Sequence, residues 1–295
     1  MLSQLLQFLF SGLTVGATYA LAALGFAIIY NASGVINFAQ GEFIMLGGMA
    51  AVALAGLGVP LPLAIVLAVV VAGITGVLIE KFAIEPAVKP AGGADVVPLI
   101  IITIGASLVV RGLVQILLGK GTHSLPAFSG ETPLVIAGAT LLPQSLWVVG
   151  VAAVVVAALG WFFGRTVQGK AMLATSHNKL AAELVGINTR SVLLLSFVLS
   201  GALGALGGIL VAPITYTSYD VGIMLGLKGF VAATLGGLGS GLGAVVGGLL
   251  LGVLEAMTAG YISSAYKDAM PFVLILLVLF FMPRGLFGAK AIDRV

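Results

Sequence analysis

The chain of 295 residues contains no cysteine, which excludes a disulfide framework and thiol chemistry. Histidine is nearly as scarce. His123 and His177 lie far apart with no second ligand type at metal spacing, so no metal site is expected. Charge is the third shortage. Asp, Glu, Lys and Arg make up 8% of the residues, against about 25% in soluble domains. Such a chain cannot cover a water-facing surface. The net charge of +3 comes with no basic face, which excludes nucleic acid as a partner. Catalytic motifs are missing as well. Gly119-Lys120-Gly121-Thr122 comes nearest to a phosphate-binding loop, but it lacks the glycine five residues ahead of the lysine and the hydroxyl residue after it. No Gly-x-Ser-x-Gly, His-Glu-x-x-His or paired-carboxylate spacing occurs, so no enzyme is expected.

What remains is hydrophobic: 60% of the residues, with a mean hydropathy of +1.24. The apolar runs are continuous and about 20 residues long, the length a helix needs to cross about 30 Å of hydrocarbon. A β-barrel would show alternating segments of about ten residues. The expected fold is therefore an all-α, polytopic transmembrane bundle forming one domain over residues 1–295. It has about eight spans and one short discontinuous or re-entrant element. The spans read Leu5–Tyr30, Ile36–Leu57, Leu61–Ala83, Val97–Leu118, Leu142–Gly164, Ser191–Ala212, Gly241–Ile262 and Met270–Met282, with Gly222–Leu238 as the short element. The N-terminus has no basic leader region and reads as a retained first span.

Basic residues set the orientation. The 165–190 loop carries Arg165, Lys170, Lys179 and Arg190. The tail carries Arg284, Lys290 and Arg294, and the 84–96 loop with its flank carries Lys81 and Lys89. Lys120 and Lys267 stand alone in the 119–141 and 263–269 connectors. Placing the first three groups in the cytoplasm puts nine basic residues inside and two outside. The N-terminus is then periplasmic and the C-terminus cytoplasmic.

Glycine is dense from Gly236 to Gly252, and Gly236-Gly237-Leu238-Gly239-Ser240-Gly241 should break a helix. Broken backbone at membrane depth is tolerated only inside protein or along a wet cavity. A gap-free offset of 189 residues aligns Phe8, Ser11-Gly12, Tyr30 and Leu46-Gly47-Gly48 with Phe197, Ser200-Gly201, Tyr219 and Leu235-Gly236-Gly237. This fits an inverted repeat, and equally chance in a chain rich in Gly and Leu. Small residues four apart recur at Gly12/Gly16, Gly204/Gly208, Gly243/Gly247 and Gly248/Gly252. They serve bundle packing or a subunit interface.

The candidate intramembrane charges are Glu42, Arg111, Lys228 and Glu255. They read as ion pairs or snorkelling side chains rather than a proton relay, which argues against a gradient-driven pump. In the stretch 34–48, Asn37, Gln40 and Glu42 precede an apolar run. They read either as a capped helix entry or as a polar patch entering a permeation pathway. Thr14, Tyr19, Gly236, Gly237 and Ser240 complete the candidate pathway set.

The long hydrophilic segment 165–190 has a different character. Met172, Ser176, Leu180 and Leu184 fall four apart on a short helical stretch, and Gly186 can take the left-handed terminal position. Solvated loops do not need Ala181-Ala182 and Leu184-Val185 exposed, so docking to a partner is expected. Lys170, Ser176, Asn178, Ala181, Ala182, Glu183, Gly186 and Ile187 are the candidate docking residues.

Four stretches together resemble the LivH-type permeases of branched-chain amino-acid ABC importers: GVINFAQGEFIMLGG (34–48), GKAMLATSHNKLAAELVGINTRSV (169–192), KGFVAATLGGLGSGLGAVVGGLLLGVLEA (228–256) and FMPRGLFG (281–288). The resemblance spans nearly the whole chain. The 165–190 segment then resembles the coupling loop of such importers. It is less basic than usual, with Lys170 where related loops often have Arg. The resemblance implies a subunit of the bacterial inner membrane without ATPase activity or cofactors of its own. It implies a LivM-like second permease, two cytoplasmic LivG/LivF-like ATPases that hold ATP and Mg, and a periplasmic amino-acid-binding protein. The cargo would be a zwitterion with an apolar side chain. Urea or amides, other neutral amino acids or a sugar remain alternatives, as does a stand-alone secondary transporter.

Overall fold

The computed structural model describes residues 2–88, 96–130 and 132–288. Lys89, Lys290 and Arg294 of the charge count lie outside them. Helices dominate the described residues: α1 (Leu2–Ser33), α2 (Gln40–Gly56), α3 (Leu61–Ile79), α4 (Glu85–Val88), α5 (Val96–Leu118), α6 (Pro143–Arg165), α7 (Val167–His177), α8 (Lys179–Leu184), α9 (Thr189–Thr215), α10 (Val221–Gly236), α11 (Gly241–Tyr261) and α12 (Met270–Phe281). A π-helical turn, Glu80–Ile84, carries α3 into α4.

Each expected membrane segment is a helix. Six are long and apolar enough to span, while α2, α10 and α12 are shorter, with 17, 16 and 12 residues. Prolines near the starts of α3, α6 and α12 sit where a missing N–H costs nothing. The connector before α6 folds into an antiparallel hairpin, β1 (Leu134–Ile136) and β2 (Ala139–Leu141), a strand pair that the sequence does not announce. The Gln7 side chain donates to the Thr140 carbonyl at 2.9 Å and accepts the Thr140 amide at 2.7 Å.

The core is a doubled unit. α1 packs on α9, α10 and α11, and α9 packs on α1, α2 and α3. α2 meets α3, α5 and α10; α10 meets α11, α12 and α2. Exchanging α1 with α9, α2 with α10, α3 with α11 and α5 with α12 leaves these pairings unchanged. The sense is inverted. Ser200 donates to the Gly25 carbonyl while Gly207 lies against Thr18 and Leu21, so α1 and α9 run antiparallel. Gly41 touches Gly222 and Gly226, and Gly222 touches Met45, so α2 and α10 also cross antiparallel.

The offset of 189 relates α1 to α9: Thr18 and Gly207 are mutual images, and Gly12 and Gly201 pack on the equivalent helices α11 and α3. For α2 and α10 the offset is 181, with Gly41 the image of Gly222. The proposed match of Leu46-Gly47-Gly48 to Leu235-Gly236-Gly237 is therefore corrected. The segment from the long helix to the short one loses eight residues in the second half, which breaks a gap-free register.

Contacts also sort the connectors onto two ends. Arg190 pairs with Glu85, Asn31 donates to the Gly239 carbonyl at 2.8 Å, and Leu286 and Phe287 donate to Leu235 and Gly236 at 2.9 Å. These segments share an end with α7 and α8. At the opposite end His123 and Thr217 exchange backbone bonds at 2.8 Å, and the rings of Phe8 and Tyr261 meet at 5.2 Å. The small-residue pairs all face helices of the same chain, which favours bundle packing.

Candidate functional site

Three regions carry the polar chemistry: the loop helices α7–α8, and the two places where a long helix breaks before a short one.

In the loop, Thr166 caps α7 by accepting the Gly169 amide at 2.9 Å. Met172 and Thr175 are buried, and Ser176 lies in a crevice with Asn31 and Ala32 of α1 and Phe163 of α6. Asn178 takes an extended conformation, ends α7, and accepts the Ala181 amide at 3.0 Å to cap α8. At the far end of α8 the Ile187 amide reaches the Ala182 carbonyl and the Gly186 amide reaches Glu183, both at 3.0 Å. Gly186 has φ +88, the left-handed stop the sequence predicted. Thr189 donates to Glu183 at 2.6 Å, and Asn188 caps α9.

The continuous stripe expected from Met172 to Leu184 is split at Asn178. Met172 faces inward, whereas Leu180, Leu184 and Val185 are exposed. Lys170, Ala181, Glu183 and Gly186 are also exposed and Ile187 is half-buried, but Ala182 is buried. Ala182 thus seats α8 against the rest of the chain.

The first helix break runs from Ser33 to Gln40. Asn37 accepts the Ala39 amide at 3.1 Å, and the Phe38 amide donates to Thr103 of α5 at 3.2 Å. Gln40 is fully buried. Its amide donates to the Ser200 carbonyl at 3.3 Å, and its side-chain carbonyl accepts from the Ser200 hydroxyl. Glu42 is 1% exposed, pairs with Arg111 of α5 and accepts from Ser107 at 3.0 Å. A carboxylate at this depth is tolerable only when so compensated. The second buried network joins Lys228 to Glu255 at 2.7 Å and to Asp268 at 2.6 Å, with Tyr19 donating to Glu255 at 2.8 Å. The expected ion pairs are present.

These partnerships place much of the pathway set inside the bundle. Thr14 donates to the Phe10 carbonyl of its own helix, and Thr14, Tyr19, Asn37, Gln40 and Glu42 are all at most 4% exposed. Their hydrogen bonds and ion pairs are made within this chain, with Asn37 Nδ2 and Glu42 Oε2 buried and without a partner among the described residues. Gly236 and Gly237 do not break a helix at mid-depth. They form, with Ser240 capping α11, a turn at the α7–α8 end against Arg284–Gly288. Two motifs of the resemblance, LGGLGS and PRGLFG, meet there.

The second break, Tyr216 to Asp220, is different. Tyr216 has φ +62 and is exposed, as are Asp220, Ile223 and Met224. None was singled out from the sequence. The signal available was only an acid inside a short connector between apolar runs.

Both the sequence and the fold have known relatives. The family model described as "Branched-chain amino acid transport system / permease component" matches residues 8–279. The chain belongs to that family. The permease LivH of the high-affinity branched-chain amino acid transport system of Escherichia coli (strain K12) is 35% identical, over 98% of this chain and 97% of the relative. BraD of Pseudomonas aeruginosa, the permease of a system of the same description, is 35% identical over 98% of each. Among solved structures, PsaBC from Streptococcus pneumoniae in complex with Fab matches with a TM-score of 0.52 at 15% identity, covering 96% and 97% of the two chains. That likeness concerns the fold alone. The chain is a multi-span membrane permease component, and the doubled helical core with its loop helices is the fold of that component.

Proposed function

We propose that this permease translocates branched-chain amino acids in an ATP-driven importer. The observation that carries the reading is the match along nearly the full length of both chains to permeases named for that transport. In this reading a periplasmic binding protein delivers the amino acid, a LivM-like permease completes the passage, and two LivG/LivF-like ATPases hold ATP and Mg. The N-terminus is periplasmic and the C-terminus cytoplasmic, which the basic residues of the 165–190 loop support. The loop helices act as the coupling element. α7 is seated under α1 and α6 and α8 is capped at both ends, so a push on Leu180, Leu184 and Val185 reaches the bundle as a rigid displacement rather than bending a loop.

Two measurements test this. ATPase activity of the purified complex should be stimulated by leucine-loaded binding protein and not by urea- or ribose-loaded proteins. Leu184→Asp or Gly186→Glu should abolish uptake and ATPase co-purification while membrane insertion persists. Wild-type uptake in both variants would overturn the coupling assignment.

A further inference from the structure

The buried charges of this bundle follow one rule. Glu42 meets Arg111, and Lys228 meets Glu255 and Asp268. Asp220 breaks the rule. It is exposed, and its side-chain partner is the Ser218 hydroxyl, which donates to it at 2.6 Å. Among the described residues no cation pairs with it.

Its depth makes this notable. The inverted repeat has its axis between mutually imaged residues. Those are Thr18 and Gly207 on the long helices, and the Gly41–Met45 and Gly222–Gly226 crossing on the short ones. In an inverted repeat that axis lies in the membrane plane. Asp220 stands four residues before the centre of the α10 crossing, so at 1.5 Å per residue it lies within about 6 Å of the midplane. The hydrocarbon reaches about 15 Å on either side. A carboxylate facing lipid there is strongly disfavoured, and charges at such depth face a wet cavity or a partner. Its image on α2 is Ala39, buried, with the adjoining Glu42 sealed by Arg111. One break is closed by α5; its counterpart is open.

The neighbours of Asp220 suit a particular guest. Ile223 and Met224 follow it, both exposed and aliphatic. Tyr216 precedes it in a backbone region that L-residues adopt only at a cost, as happens at binding sites. We infer that Asp220 lines the passage and receives the ammonium group of the amino acid in transit, with Ile223 and Met224 against its aliphatic side chain. This rests on the transport reading above and extends it to a residue.

The absence of cysteine makes the test direct, because each introduced thiol is the only one in the chain. In the reconstituted complex, Asp220→Cys and Met224→Cys should react with a charged, membrane-impermeant thiosulfonate. Leucine-loaded binding protein with ATP should slow the reaction. Leu276→Cys, on the exposed face of α12, should react far less. Asp220→Asn should lower leucine uptake by about tenfold or more, the scale of one lost charge-assisted hydrogen bond. Asp220→Glu should restore most of it. The inference is overturned if Asp220→Cys is as unreactive as Leu276→Cys, or if Asp220→Asn transports like wild type. It is also overturned if Asp220→Asn loses co-purification with the second permease, which would make the residue a subunit contact. Should the wild-type complex show no ATP-dependent leucine uptake, the transport reading fails instead, while thiol accessibility still reports on the passage.

Discussion

The two helix breaks are images of one another, yet they have opposite character. Between α1 and α2 the polar side chains are buried and find partners within the chain, apart from Asn37 Nδ2 and Glu42 Oε2. Asn37 holds the Ala39 amide, Gln40 exchanges bonds with Ser200, and Glu42 is neutralised by Arg111 from α5. Between α9 and α10 the backbone is bent at Tyr216, and Asp220, Ile223 and Met224 stand exposed. The partner of α10 equivalent to α5 is α12, with 12 residues against 23. The repeat supplies the geometry, and unequal covering helices leave one copy sealed and the other exposed.

The comparison can be broken most forcefully at Arg111. Arg111→Ala leaves Glu42 buried and unpaired, which should destabilise the subunit by about 3–5 kcal/mol. Replacing the pair together by Met and Leu should recover most of that loss. Thermal unfolding in detergent measures both, and an unaffected single variant would show that the first break is not sealed by charge. Next in size is the crossing itself. A side chain at Gly41 meets the Gly222 backbone, so Gly41→Val should cost about 1–3 kcal/mol by overpacking. Its image, Gly222→Val, should cost a similar amount; a large inequality would deny the symmetry.

A smaller effect is expected at Asn37, where Asn37→Ala removes one bond to the Ala39 amide and should cost about 1 kcal/mol. Ser218→Ala at the exposed break should change stability less. The smallest effect concerns pH. The bond from Lys228 holds the Asp268 carboxyl below the usual carboxylate range. A depressed pKa stabilises in full above the ordinary value and the contribution fades as pH falls through the folded one. The stability difference between wild type and Asp268→Asn should therefore be present at about pH 7 and shrink towards about pH 3. A difference independent of pH would remove that pair from the account.

Much of this was legible in the sequence because each part depends on local or compositional physics. Long apolar runs must be helices in lipid, since no other solvent exists for the backbone. Gly186 announces a helix stop and serves as one. The repeat was visible along α1 and α9, where no insertion intervenes. It does not extend in register beyond them, because the loss of eight residues, most of them from the end of the long helix, leaves no trace in composition. The candidate pathway residues were chosen by polarity within apolar segments. Polarity cannot distinguish a group that lines a passage from one whose partner arrives from another helix. Ser200 lies 160 residues from Gln40, and Glu255 lies 236 from Tyr19.

The sequence by itself determined a polytopic helical membrane protein, the loop segment with its stop at Gly186, and its family. Hydropathy, capping and the distribution of basic residues act over a few turns and need no long-range contact. Tertiary structure alone decided which polar residues are silent and which are exposed. Burial and ion pairing depend on helices far apart in the chain. The same inverted packing that closes Glu42 against Arg111 leaves Asp220 exposed.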